Sequence, residues 1–486
     1  YSKEAKFHMS QVMIGLEIHA QITALNSKLF CSCRGNYRDL RPNSNICEIC
    51  CGLPGSLPII NQKAIEYSTM TSLALGCKVP DKIMFYRKNY FYPDLPKNFQ
   101  ITQYNVYGIS SMGIDGKYEL DGIKQIKISR IQLEEDPGRI AYSEDGMNVR
   151  NTALIDYNRA GVALIEIVTE PDFTGPKEVR QFLNKLSLTL EHLGVCDTLL
   201  EGSVRCDVNV SMNGGNKVEI KNINSFKEVE KAINYEITRQ SSVYGRNLKI
   251  EHETRHWDDK KKITFKARSK EEEHDYRYFP EPDIPVIVLG NDFVANLKQR
   301  MPELPNERFE RFKSKYELSD HTSNILINDK KLADFFESTL KLHFSPVEIA
   351  NILVTEFKSL IDDDAESRDY LKNLKVKPEH IAELVKLIEG NKISRTTAKD
   401  ILVKIFESGK LPTEVVNSSN SYKIADEKTL MDAVQSVFDS EKSAVEDAKN
   451  NREAINFLLG KVMKFTNGRA DAKIAMRLIN SKLAEH

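Results

Sequence analysis

Val12 to Ile22 (VMIGLEIHAQI) alternates so strictly that it allows little besides a strand with two unlike faces. Val12, Ile14, Leu16, Ile18, Ala20 and Ile22 line one side of an extended chain, while Met13, Gly15, Glu17, His19 and Gln21 line the other. One face is core. The other places a carboxylate and an imidazole two residues apart on the same side, which a merely wet surface does not need.

SVRCDVNVSM repeats the pattern, with Val204, Cys206, Val208, Val210 and Met212 on one face and Ser203, Arg205, Asp207, Asn209 and Ser211 on the other. KVEIK adds Glu219 between Lys217 and Lys221. An antiparallel sheet with one solvated face explains any one of these strands. Together they differ from an ordinary solvent face, which carries long mobile Lys and Glu or β-branched Thr. Glu17, His19, Asp207, Asn209 and Glu219 beside Arg205 and Lys221 are a mixture that binds a metal and its anion. IQLEEDPGRI contributes Glu134, Glu135 and Asp136, and LIDYNRAGVALIEIVTEPD contributes Asp156, Glu166 and Glu170, with Asn158 and Arg159 beside them. Hard oxygen ligands with arginine point to magnesium and phosphate. Without cations, so dense a carboxylate set would take up protons.

The chain has no GxxxxGK[ST] loop, no HExxH and no GxSxG. Any nucleotide site is therefore of a sheet-and-carboxylate kind. The net charge of −1, from 69 basic and 70 acidic residues, excludes a uniformly basic nucleic-acid binder. No run approaches the roughly 20 apolar residues of a membrane helix, so no membrane partner is expected.

Five of the eight cysteines crowd into residues 31–51, unlike the even spread of a disulfide scaffold, and a reducing compartment fits. Cys31 and Cys33, then Cys47 and Cys50, supply two thiolate pairs for a tetrahedral zinc, with Cys51 left over. Four sulfur ligands leave no open position for substrate, so this metal would stabilise a loop-rich stretch. Reduced cysteines clustered without metal are the alternative.

Strand-like alternation and a few helices fill 1–290, and helical periodicity dominates thereafter. A helix spans Pro176 to Leu193, with Gly194 just beyond it. Another starts at Ser225, which forms a capping box with Glu228. PEPDIPVIV (Pro280 to Val288), with three prolines, and PELP (Pro302 to Pro305), which prolongs the break, read as a hinge between domains, with a boundary near Gly290. A helical domain over 291–410 and a helical tail over 411–486 follow, the latter beginning with the polar linker NSSNSYK. Lys461 to His486 holds six Lys/Arg and two Asp/Glu, a local +4 that suits an anionic partner or a solvated helix face. The aromatic stretch Phe85 to Tyr104 suits stacking on bases or a tRNA end, or an ordinary core loop.

IGLEIHAQ, CEICCGLPGSLP, RKNYFYPDLPKNFQITQY, LEEDPG, DYNRAG, LIEIVTEPD, EGSVRCDVNVS, VEIKNINSF and HDYRYFPEPD together resemble the B subunit of tRNA-dependent glutamyl/aspartyl-tRNA amidotransferases. ISRTTAKDILVKIFESGK and INFLLGKVMKFTNGRAD resemble that family's YqeY-like tail, so the likeness covers nearly the whole chain. It implies an α+β fold with a glutamine-synthetase-like antiparallel cradle, an inserted zinc loop, then helical and tail domains. The implied activity is ATP-dependent phosphorylation of the glutamate carboxylate on misacylated Glu-tRNA(Gln), then amidation by ammonia from a partner amidase (A) subunit. A small third subunit is also implied.

By this resemblance Glu17, His19 and Glu134 would hold magnesium, joined as catalytic groups by Glu135, Glu166, Asp207 and Glu219. Arg159 and Arg205 would meet phosphates, with Asn209 and Lys221 at the nucleotide. Cys31, Cys33, Cys47 and Cys50 complete the family's zinc pattern. The competing reading is a noncatalytic zinc-containing scaffold that binds tRNA. The chain opens at Tyr1, which fits a processed leader or a trimmed start; that start and the Asn/Lys-rich character lean towards a fungal-type mitochondrial member, with bacterial cytoplasm as the alternative.

Overall fold

A computed structural model describes residues 11–104, 110–120, 122, 124–142, 153–267, 276–361, 374–419, 422–424, 426–448 and 451–485. Tyr1, His274 and Asp275 of the HDYRYFPEPD motif, and Asn420 and Ser421 of the polar linker lie outside the described residues. The chain divides into two compact units, Tyr1–Pro305 and Asn306–His486.

The first unit is built on an eight-stranded sheet of β1 (Val12–Gln21), β2 (Gly113–Glu119), β3 (Gln125–Glu135), β4 (Ala163–Thr169), β5 (Val204–Met212), β6 (Val218–Lys221), β7 (Glu253–Asp258) and β8 (Ile263–Lys266). Their spatial order is β8-β7-β6-β5-β1-β4-β3-β2. Every neighbouring pair is antiparallel except β6 and β7. The sheet is thus mixed, which corrects the expectation of a purely antiparallel one. The cause lies in the connection between β6 and β7: it runs through a long helix, and a helical crossover lets two neighbouring strands run the same way.

The helices of this unit are α1 (Gln62–Ala74), α2 (Pro176–His192), α3 (Phe226–Gly245) and α4 (Asn291–Arg300). Alternation and helical spacing meet in one core: Ile14, Leu16 and Ile18 of β1 and Val208 and Val210 of β5 share it with Phe182, Leu186 and Leu190 of α2 and Val229 and Ile233 of α3. Pro176 opens α2, where a missing N–H costs nothing, and Gly194 follows it at φ +69°, a conformation glycine adopts without a Cβ clash.

The stretch from Pro280 to Val288 pairs within the first unit, and the division between the units falls at the end of PELP, Pro302 to Pro305. Phe279–Pro280 pairs as an edge strand with Tyr86–Asn89, where proline's missing donor is harmless, and Ile287–Val288 pairs with Lys82–Ile83. Arg87 grips Glu281 through two bonds of 2.7 and 2.8 Å and reaches Asp283 at 3.0 Å. α4 then buries Leu297 in the same core, so the first unit runs on to Pro305, past Gly290.

Among the described residues the second unit is helical, with an isolated bridge between Ile424 and Ala470. Its C-terminal helices Glu427–Ser440, Arg452–Phe465 and Ala472–Glu485 pack Leu430, Val434, Leu458, Val462 and Ile479 into a core of their own. Among the described residues no helix is long and apolar enough to cross a membrane.

Candidate active site

Strand register assembles the polar face. His19 lies opposite Glu166 of β4 and Arg205 of β5, and Glu166 lies opposite Gln132 of β3. One step along, Glu17 faces Asp207, and next to them Asn209 faces Glu219, which faces Thr254 of β7. Because side chains alternate, these groups share one face and leave the other to the core.

Donor atoms of His19, Glu134 and Glu166 all lie within 4.8 Å of one another. His19 Nε2 is 3.5 Å from Glu134 Oε1 and 3.8 Å from Glu17 Oε1. Thr102 donates to Glu134 Oε2 at 2.9 Å, which fixes that carboxylate and leaves its other oxygen toward the imidazole. Burial, with the negative charges of Glu134 and Glu17, pushes Glu166 up to about 7. Burial also works to raise Glu17, but His19, Lys221 and Lys88 hold it below the usual carboxylate range. Two buried carboxylates that repel each other beside one imidazole suit a hard divalent cation, which would relieve the conflict. The expected magnesium set was Glu17, His19 and Glu134; the tightest grouping has Glu166 in place of Glu17.

Lys221 neutralises a second acidic pair, 2.6 Å from Asp207 and 3.4 Å from Glu219, while Thr254 donates to Glu219 at 2.9 Å. Asn209 Oδ1 is buried with no hydrogen-bond partner among the described residues. Arg205 donates to Asp136 at 2.8 Å. Arg159 donates to the carbonyls of Pro137 and Gly138 at 3.0 and 2.8 Å and lies 3.6 Å from Asp136, so its fork is engaged by the protein itself. Glu135 is not brought to the polar face. It points the other way, salt-bridged to Lys97 at 2.5 Å and accepting the Ile101 amide at 2.8 Å.

Two groups here, Arg130 and Lys88, escaped the sequence reading, and Asp136 was read only as one of the carboxylates around a metal. Arg130 approaches Glu166 at 3.8 Å, and buried Asp136 anchors Arg205. Lys88 sits over the Tyr276 ring at 4.7 Å and the Tyr90 ring at 5.9 Å. Burial would lower its pKa, but Tyr278, Glu134, Tyr90 and Glu166 keep it raised. The aromatic stretch was the available signal: it contains Lys88 and Tyr90, and its Tyr104 stacks on Tyr278 at 4.1 Å. Phe91 and Tyr92 of that stretch are exposed.

The four sulfurs of Cys31, Cys33, Cys47 and Cys50 also lie within 4.8 Å of one another. Cys47 and Cys50 Sγ are 3.8 Å apart, matching the roughly 3.8 Å edge of a tetrahedron with Zn–S bonds of about 2.3 Å. A hydrogen bond from Cys31, with help from Lys28, holds Cys50 down at about 4, whereas burial and neighbouring thiols push Cys33 up to about 12. Without metal, then, the cluster cannot ionise fully. Lys28, wholly buried, lies 3.7 Å from Cys50 Sγ and offsets the negative charge a four-thiolate centre would carry. The DYNRAG segment braces this loop: Asp156 accepts the Asn43 amide at 2.9 Å and Asn158 the Asn45 amide at 2.7 Å. These two residues serve the loop, apart from the acidic face.

The GatB/GatE catalytic domain family matches residues 12–295, and a GatB domain matches 334–483. B subunits of aspartyl/glutamyl-tRNA(Asn/Gln) amidotransferases are similar over almost their full lengths. That of Sulfurisphaera tokodaii is 43% identical over 477 residues, covering 97% of this chain and 99% of its own. The Saccharolobus solfataricus protein is 43% identical over 472 residues, with the same coverage. The Thermotoga maritima protein is 41% identical over 482 residues, covering 97% and 98%. These relatives are archaeal and bacterial, and none supports a fungal-type mitochondrial member.

Proposed function

The chain belongs to the GatB/GatE catalytic family, and we propose that its polar sheet face activates the side-chain carboxylate of a misacylated tRNA. The chain is the catalytic subunit of an ATP-dependent ligase, a tRNA-dependent amidotransferase that converts Glu-tRNA(Gln) and Asp-tRNA(Asn). The convergence of His19, Glu134 and Glu166 carries the placement of the chemistry.

A carboxylate is a poor electrophile at neutral pH. Transfer of the γ-phosphoryl of ATP to one carboxylate oxygen releases ADP and creates a leaving group. Ammonia nitrogen then bonds to the acyl carbon, the C–O bond breaks, phosphate departs with the electron pair, and nitrogen sheds a proton. His19, Glu134 and Glu166, with Glu17 beside them, would hold magnesium, which when bound neutralises charge on the transferring phosphoryl. Arg205, Arg130 and Lys88 supply fixed positive charge for phosphate oxygens. Lys221, clamped by Asp207 and Glu219, and Asn209 would border the nucleotide. Arg159 acts with Arg205 only through Asp136, and Glu135 supports the fold.

In this reading the sheet is a glutamine-synthetase-like cradle, the cysteine cluster holds structural zinc, and the second unit divides near residue 411 into a helical domain and a YqeY-like tail. Ammonia comes from a partner amidase, with a small third subunit in the assembly. The prokaryotic relatives favour a cytoplasmic setting over a mitochondrial one.

The test is His19→Ala and Glu134→Gln in the assembled complex. Amidation should fall by roughly 10²–10³ and Mn²⁺ affinity should drop, while tRNA affinity stays near wild type. Unchanged turnover would favour the scaffold reading.

A further inference from the structure

The loop closed by the cysteine cluster is wired to the sheet by a chain of hydrogen bonds that the reaction as described does not use. Tyr37 and Arg38 lie in that loop, between Cys33 and Cys47. Arg38 Nη2 donates to Gln21 Oε1 at 2.6 Å and to the Glu201 carbonyl at 3.0 Å, just ahead of β5. Gln21 Nε2 donates to the Tyr37 hydroxyl at 3.2 Å and to Asp136 Oδ2 at 2.8 Å. Asp136 Oδ1 accepts from Arg205 at 2.8 Å. Gln21 and Asp136 are each 1% exposed, so solvent cannot replace the bond between them.

Gln21 uses its amide fully, with both hydrogens donated and its oxygen accepting. A glutamate would lose both donations, and an aliphatic side chain all three bonds. Arg205, opposite His19 on the sheet, is the group at the end of the line. A partly exposed arginine can swing among many rotamers. Tied to a buried carboxylate that is itself tied to the loop carrying the cysteine cluster, it is held in one.

We propose that the cysteine loop sets the position of Arg205 through Arg38, Gln21 and Asp136, making these three positioning residues for phosphoryl transfer. This rests on the reading of Arg205 as a phosphate-facing group. Asp136 divides its charge between Arg205 and the more distant Arg159, whose fork is held by the Pro137 and Gly138 carbonyls, so Arg205 is the arginine that the relay sets.

The test is a double-mutant cycle in the assembled complex with its amidase partner, ATP and misacylated tRNA. Arg38→Ala should lower kcat about 10-fold, in the range seen for groups that orient a catalytic ligand from behind, with little change in melting temperature. Gln21→Leu should do the same and is the second arm. In an Arg205→Ala background, adding Arg38→Ala should change kcat less than about 2-fold, because the relay has nothing left to position. A repeated 10-fold loss in that background, or no loss from either single variant, would overturn the relay while sparing the site. If Arg205→Ala alone leaves turnover unchanged, both the phosphate role and the relay fail.

Discussion

Glu134 and Glu135 are neighbours in sequence, and the pleat of β3 sends them to opposite faces. A bulge between Ile128 and Arg130 resets the alternation, so Ile126 and Ile128 face the core before it and Ile131 and Leu133 after it. Glu135 continues the core-facing series and is charge-compensated by Lys97, whereas Glu134 joins His19 and Glu166. The two substitutions should therefore fail differently. Glu134→Gln should cost roughly 10²–10³ in amidation with little loss of stability. Glu135→Gln leaves a buried ammonium without its partner, a change that typically destabilises by about 3–5 kcal/mol. Chemical denaturation of both variants checks this, and equal stabilities would refute the assignment. Nothing in LEED by itself distinguishes the two carboxylates. The deciding feature is a bulge six residues upstream, which leaves no mark in a residue-by-residue pattern.

At the start of α3, Ser225 accepts the Glu228 amide at 3.2 Å as the sequence suggests, but the reciprocal half of the capping box is not made. The Glu228 carboxylate instead takes Lys231 at 2.7 Å, Lys262 at 2.8 Å and the Trp257 indole at 2.9 Å, stitching the helix to β7 and to the turn before β8. Two ammonium donors are stronger partners than one backbone amide. Those same bonds, first from Lys231 and then from Lys262, depress Glu228 to about 2. A carboxylate depressed on folding stabilises fully above its unfolded value, near 4.3, and loses that contribution as pH falls toward its folded value. Acid unfolding between about pH 5 and about 2 should therefore be shallower in Glu228→Gln than in wild type; superimposable curves would show the network to be inert. α2, α3, β1 and β5 were readable because each keeps one period long enough to be seen. The parallel β6–β7 pair and the two-residue strands around Pro280 and Val288 were not, since crossover direction and short pairings depend on where a helix docks. For the cysteine loop the prediction is simpler: changing Cys47 and Cys50 together to Ser should reduce zinc from about one ion per chain to near zero by metal analysis.

Over the whole molecule, charge balance near zero conceals local imbalance, and the tail is where that matters. Its +4 was legible from sequence; which of its cations remain available was not. Lys461 is bonded to Glu441 at 2.5 Å, and Arg477 pairs with Glu427, both acids lying earlier in the chain than the counted stretch. Lys464 and Lys473 are exposed, and no acid pairs with either among the described residues. A cation already neutralised by a carboxylate releases few counterions when a phosphate approaches, whereas an unpaired one contributes fully to the salt dependence of binding. If this tail grips tRNA, replacing Lys464 and Lys473 by Ala should weaken binding and reduce the slope of log affinity against log salt by about 1 for each phosphate that is no longer neutralised. Replacing Lys461 and Arg477 should change that slope far less. Measured across a salt series with the full complex, identical slopes for the two pairs would assign the tail's charge to solvent and leave tRNA binding to other surfaces.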